Sequence, residues 1–305
     1  MRLPVRAIGV AVGILTSAYG FAQAKPEREI PGSTVVVTPP TQSITVREQP
    51  VQATTESGPQ PLGFESDVHC FGYLGETSEK FVAQVVSAES VAEQIDYTTS
   101  DLLYVNGGHD RGLKIGDEFW LVTPEATVTH PHTGKDLGRF HQFRGRGVVE
   151  TLEGRTASLR VTSSCTDIPM GAFLKPFEPI PIPLARKTPP AVAGDPPSGK
   201  AKGRIVFTRD GIVAVGADHT VIVDLGVAQG VEPGDFLTVY RYSKGSDDAR
   251  PVGGYWVNVA PVAQGEVPRT YLGEIAILSV GDRWAVGRIS DSYRLIEVGD
   301  EVELK

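Results

Sequence analysis

The sequence predicts a mainly β protein: two tandem small β-barrel or sandwich-like domains after a disordered N-terminal spacer. One glycine pattern occurs twice, with Gly108, Gly112, Gly116 and Asp117 matched by Gly226, Gly230, Gly234 and Asp235. Short apolar runs punctuated by glycine turns fill both halves of the chain, the habit of small barrels and sandwiches. A Pro- and Thr-rich stretch precedes the first copy and a Pro-rich stretch separates the two. Such compositions do not build packed cores.

In chain order, residues 1–24 read as a secretory signal peptide. Arg2 and Arg6 give a positive start, and the apolar run at 7–18 is too short to span a bilayer. Ala22-Gln23-Ala24 fits the small-x-small cleavage pattern. The expectation is an exported protein, periplasmic or associated with the outer envelope, with no integral membrane segment after cleavage. Residues 25–62 read as a disordered spacer. The valines at 35–37 leave open a strand added to a partner's sheet. Residues 63–178 are assigned to the first β-domain, 179–202 to a Pro-rich linker of extended polyproline geometry, and 203–305 to the second β-domain.

The repeated stretch reads as strand, glycine corner, apolar plug, Gly-Asp turn, strand. Glycine reaches conformations closed to other residues, so its recurrence at fixed positions marks backbone corners. Leu113, Ile115 and Val231 are expected to plug the core. Asp117 and Asp235 are expected to cap turns through backbone N–H groups. Phe119, Leu121, Leu237 and Val239 alternate as the inward face of the next strand, which places Trp120 outward. The spacing is wrong for a phosphate-binding loop, which needs a following helix. The pattern resumes after the hairpin at a constant offset, pairing Gly145 with Gly273 and Gly171 with Gly299. Residues 127–137 read as a hairpin tip. The second copy carries extra residues at the same place, in its 243–271 stretch, an insertion of the kind loops tolerate.

The formal net charge of the 305-residue chain is −8, and the acidic surplus lies in the two folded regions. That balance argues against nucleic acid and anionic membrane surfaces. Cys70 and Cys165 are the only cysteines. An even pair within one exported domain is expected to form a disulfide, closing a loop of about 95 residues for roughly 4 kcal/mol. A reactive thiol at Cys70, beside His69, is the rival reading.

No catalytic motif stands out. There is no Gly-x-Ser-x-Gly or His-Glu-x-x-His, and the carboxylates are scattered. His130 and His132, with His141 across the hairpin, form the one histidine cluster, but no third ligand is marked. They are expected to be exposed tip residues. No metal, cofactor or catalytic residue is therefore assigned. Trp120, Tyr255 and Trp256 are the candidate binding residues, because exposed aromatics stack on sugars or anchor protein interfaces.

The runs around residues 103–119, the His130-Pro131-x-Thr133-Gly134-Lys135 turn and the 156–161 strand resemble the C-terminal domain of flagellar assembly protein T and related exported bacterial envelope domains. The resemblance is close over 100–178 and looser over 220–305, where the His-Pro turn is missing. It implies a small β-domain used for assembly or protein contact, with no catalytic residues to carry over. The expected function is that of an exported, non-enzymatic envelope protein acting as an interaction or assembly module. Its partner would be an envelope protein or the cell wall. The alternative is a peptidoglycan or polysaccharide binder using exposed aromatics.

Overall fold

The computed structural model describes residues 59–89, 94–185, 189–242, 262 and 267–305. Residues 1–24, expected to be a signal peptide, nearly all of the 25–62 stretch with its valines at 35–37, and Tyr255 and Trp256 lie outside the described residues. The described residues all belong to one compact unit.

The protein is mainly β, with two six-strand closed barrels in separate sheets. The first half supplies a short helix α1 (Glu65–His69) and strands β1 (Tyr73–Gly75), β2 (Ala83–Ala88), β3 (Asp96–Tyr97), β4 (Leu102–Val105), β5 (Glu118–Thr129), β6 (Asp136–Leu152), β7 (Ala157–Ser164), β8 (Ile168–Pro169) and β9 (Phe173–Pro176). The second supplies β10 (Lys202–Thr208), β11 (Ala214–Val215), β12 (Thr220–Val223), β13 (Phe236–Tyr242), β14 (Arg269–Val280), β15 (Ala285–Ser292), β16 (Ile296–Glu297) and β17 (Glu301–Leu304).

Strand order is the same in both barrels. The first runs β6-β5-β9-β2-β4-β7 and closes by β7 pairing with β6. The second runs β14-β13-β17-β10-β12-β15 and closes by β15 pairing with β14. Inward side chains fill each interior: Val85, Leu103, Phe119, Leu121, Leu159 and Leu174 in the first, Ile205, Val223, Leu237, Val239, Ile275 and Val302 in the second. β1 extends the first sheet beside β6. The β5–β6 hairpin projects beyond its barrel as an arm, because its strands continue pairing out to Thr129 and Asp136.

The glycine corners are built alike, down to single hydrogen bonds. Gly112 and Gly230 take left-handed backbone, with φ of 76° and 78°. Gly108 and Gly226 have negative φ, and there the requirement is space: a Cβ would lie 2.2 Å from the Glu153 carbonyl oxygen and 2.5 Å from that of Gly281. Asp117 Oδ2 accepts from the Lys114 N–H, and Asp235 Oδ2 from the Glu232 N–H, at 2.9 Å each. Leu113 and Val231 plug the two cores, whereas Ile115 is 68 % exposed. One apolar residue fills the corner, and the next position already points to solvent.

The linker differs from an independent spacer. Ile180 packs against the first barrel, beside Phe177 just ahead of the linker. Ala191 is buried, and its N–H donates to Glu274 Oε1 of the second barrel at 2.8 Å. Buried Glu303 binds Arg269 and the Gly199 N–H. Burial alone would raise its pKa, but these donors hold it below the usual carboxylate range. The last residues of the spacer are also ordered. Pro61 bridges Leu184, and the Leu62 N–H donates to the Pro183 carbonyl.

Because the two corner glycines are required for different reasons, alanine should separate them. Gly112→Ala meets open space and only backbone strain, costing about 1–2 kcal/mol. Gly108→Ala adds a clash with backbone that cannot yield, so urea unfolding should show the larger loss for Gly108→Ala. The reverse order would contradict this account of the corner.

Candidate functional site

The features that the first copy alone carries, its arm tip and its disulfide, converge on the seam between the barrels; most of the second copy's 243–271 stretch lies outside the described residues. In the arm, Val128, Leu137 and Phe140 turn toward the second barrel and meet Val206, Phe207, Ile222, Trp284 and Val286, with Phe71 and Leu74 completing the cluster. The Phe140 and Phe207 rings lie 4.6 Å apart. Phe140, Ile222 and Val286 are each no more than 2 % exposed. Burying a side chain of this size contributes roughly 1.5–3 kcal/mol.

Polar contacts fix the register of that apolar seam. His130 Nδ1 accepts from the His132 and Thr133 N–H groups at 3.1 Å. The ring proton is thereby directed to Nε2, which faces Asp224 Oδ2 at 3.3 Å. Asp224 is itself placed by accepting the Arg204 N–H through Oδ1. Pro131 lies beside Gly299. The outer tip, 131–136, is exposed as expected, but His130 is docked on the second barrel instead of standing free.

The disulfide belongs to the same seam. Cys70 and Cys165 are bonded across a separation of 95 residues, and this settles the choice against a reactive Cys70 thiol. The bond pins α1 to the end of the first barrel. From α1, Asp67 Oδ2 lies 3.8 Å from Arg288 Nε, and Arg288 also stacks over Phe64. Arg209 donates to the Cys70 carbonyl at 3.4 Å. A cleft of about 390 Å³ runs between the disulfide, Thr166 and Asp67 on one side and Thr208, Ile212, Asp218 and Thr220 on the other.

Trp120 requires a correction. It faces out of its barrel, as alternation requires, yet it is only 2 % exposed. Phe143 stacks on it at 4.5 Å, Phe177 packs at 4.7 Å, and His69 meets it edge-on at 5.2 Å. Alternation fixes the face of a strand but not what covers that face. The linker and α1 cover this one, so Trp120 is not offered to a ligand. The residues that reading one repeat at a time missed are Val206, Phe207, Ile222 and Val286. Their signal was present: Ile205-Val206-Phe207 and Val221-Ile222-Val223 are apolar without alternation, the pattern of strands buried on both faces.

The histidines are not brought together. His141 is buried inside the first half, stacked on Tyr73 at 5.1 Å and edged by Phe81 at 5.5 Å. Its Nδ1 lies 3.7 Å from Glu79 Oε2. Glu79 Oε1 accepts from the Tyr73 hydroxyl at 2.9 Å and from Lys175 Nζ at 2.7 Å. Burial and the Glu79 carboxylate push the Tyr73 phenol well above its usual range. Burial lowers the His141 pKa, and Arg139 and Lys175 add to it against the opposing pull of Glu79. No group of three or more His, Cys, Asp or Glu side chains able to hold a metal occurs among the described residues, and no helix among them is long and apolar enough to cross a membrane.

No family model and no curated protein matches the chain.

The neutral state of His141 has a measurable consequence. A base whose folded pKa is depressed contributes its full stability above its unfolded pKa of about 6.5 and loses it as pH falls below that value. Urea midpoints taken from about pH 8 down to about pH 5 should fall more steeply for the wild type than for His141→Phe, which keeps the ring stack. Parallel profiles would contradict a neutral, buried His141.

Proposed function

We propose that this chain is an exported, non-enzymatic protein of the cell envelope whose paired barrels serve as an interaction or assembly module. The observation that carries this reading is that both barrels are filled by their own side chains. They offer outer faces, not an interior cavity, and binding must use those faces. A disulfide supports an oxidising compartment. The seam supports a rigid presentation of both barrels, because it ties arm, α1 and linker into one packed unit. The motif resemblance to the C-terminal domain of flagellar assembly protein T supports assembly by protein contact.

A glycan-binding reading is favoured by one observation. Tyr293 is 64 % exposed and lies 5.3 Å from the Tyr271 ring, an aromatic pair that a sugar ring could stack on. With Trp120 buried, Tyr293 joins Tyr255 and Trp256 as the aromatics on which that reading depends.

Crosslinking in intact envelopes followed by mass spectrometry tests the first reading, and a specific envelope protein is expected in the crosslinked product. Recovery of no protein partner, together with retention on isolated peptidoglycan that Tyr293→Ala and Trp256→Ala abolish, would replace it with the second.

A further inference from the structure

The second barrel receives a peptide turn at one fixed place of the fold, and the first barrel bears the same place with its polarity reversed. Strand register defines the equivalence. Gln84 lies opposite Phe173 as Arg204 lies opposite Glu301. The Gln84 N–H donates to Asn106 Oδ1 at 2.8 Å, and the Arg204 N–H donates to Asp224 Oδ1. Gln84 Nε2 donates to the Gly171 carbonyl at 2.9 Å, and Arg204 Nη1 to that of Gly299 at 2.7 Å. On the second barrel the arm tip covers this place: His130 Nε2 faces Asp224 Oδ2, and Pro131 lies beside Gly299. On the first barrel the same place is a pocket of about 290 Å³, whose lining includes Phe81, Asn106, Arg111, Arg139, His141 and Phe173.

The polar groups of the two places differ in sign. Asn106 Oδ1 is held by the Gln84 N–H, so the group left for a ligand is Nδ2, a donor where Asp224 offers an acceptor. Arg139 Nε is buried without an acceptor, a condition that costs more for a charged group than for a neutral one. Arg111 donates through Nη1 to the Val82 carbonyl, and neither arginine forms an ion pair among the described residues. Glu79, the one carboxylate of the lining, is held through Oε1 by Tyr73 and Lys175, and its Oε2 abuts Gly75. Two arginines and an amide donor thus line one pocket of a chain whose net charge is −8. An apolar wall accompanies them. Phe81 and Phe173 stack at 4.7 Å, and Pro124 completes the lining.

We propose that this pocket binds an acidic residue followed by proline in a partner polypeptide, seated as His130-Pro131 is seated on the second barrel. Asn106, Arg139 and Arg111 take the carboxylate, and the phenylalanine wall takes the apolar remainder of the turn. Charge-assisted hydrogen bonds of this kind select the side chain that enters. This inference rests on the interaction-module reading but fails separately from it. Absence of peptide binding would overturn it while leaving the envelope crosslinking result intact.

NMR of the protein lacking residues 1–24 tests it, read at the Asn106 side-chain amide and the Arg139 Nε–H. Acetyl-Glu-Pro-amide should shift both signals saturably, and acetyl-Gln-Pro-amide should bind at least about tenfold more weakly. Arg139→Gln should weaken the acidic peptide by a similar factor. So should Asn106→Asp, which keeps an acceptor for the Gln84 N–H and reproduces the carboxylate found at Asp224. Thermal melts should show both variants folded, and the comparison of the two peptides on the wild type needs neither. Four results would overturn the proposal: no shift at either group; equal binding of the two peptides; binding indifferent to both variants; or glucuronate bound at least as tightly as the acidic peptide, which would assign the pocket to an acidic sugar.

Discussion

Phe140 sits where the arm of one barrel meets the wall of the other, 4.6 Å from Phe207 and almost wholly shielded from water. Most of what sets this protein apart from two independent domains depends on that contact. For Phe140 to reach it, β5 and β6 must continue pairing beyond their own barrel. For the contact to hold one register, His130 must meet Asp224 and α1 must be pinned in place by Cys70–Cys165. Apolar packing supplies the strength of the seam. The directed hydrogen bonds and the covalent bond supply its specificity, because dispersion alone tolerates sliding.

What the two copies share keeps each barrel closed, and what the first copy alone carries joins them. The corner glycines, the turn aspartates and the inward alternation recur because any barrel of this strand order needs them. The cysteine pair and the His-Pro arm tip occur in the first copy only, where they face the second barrel. The linker follows the same logic. Ile180 packs against the Trp120 and Phe143 cluster on one barrel, and Ala191 and Gly199 engage buried carboxylates on the other. A segment that composition marks as a spacer is held by its few apolar residues and by backbone N–H groups that satisfy Glu274 and Glu303, which would otherwise be costly to bury.

The fold class, the duplication, the corners and the disulfide were legible in the sequence because each is local or can be counted. Gly108 needs a neighbour's carbonyl at close range, and its repetition at Gly226 marks it as structural without coordinates. Two cysteines in one domain leave one partner each. The covering of Trp120, the docking of His130 and the exposure of Ile115 were not legible, since each depends on which surface a distant segment lands upon. His141 shows the same limit. Its spacing from His130 across a hairpin is consistent with a shared site, and only the packing of Tyr73, Glu79 and Phe81 places it in a separate buried cage. The seam lay between these cases. Unbroken apolar runs in β10 and β12 announce cover on both faces but do not name the covering element.

The central claim is that the seam makes the two barrels one cooperative unit. Differential scanning calorimetry of the protein lacking residues 1–24 tests it directly, through the ratio of calorimetric to van't Hoff enthalpy. The account predicts one two-state transition for the wild type, and its division into two when Phe140→Ser opens the seam. Two independent transitions in the wild type, unchanged by that substitution, would contradict it.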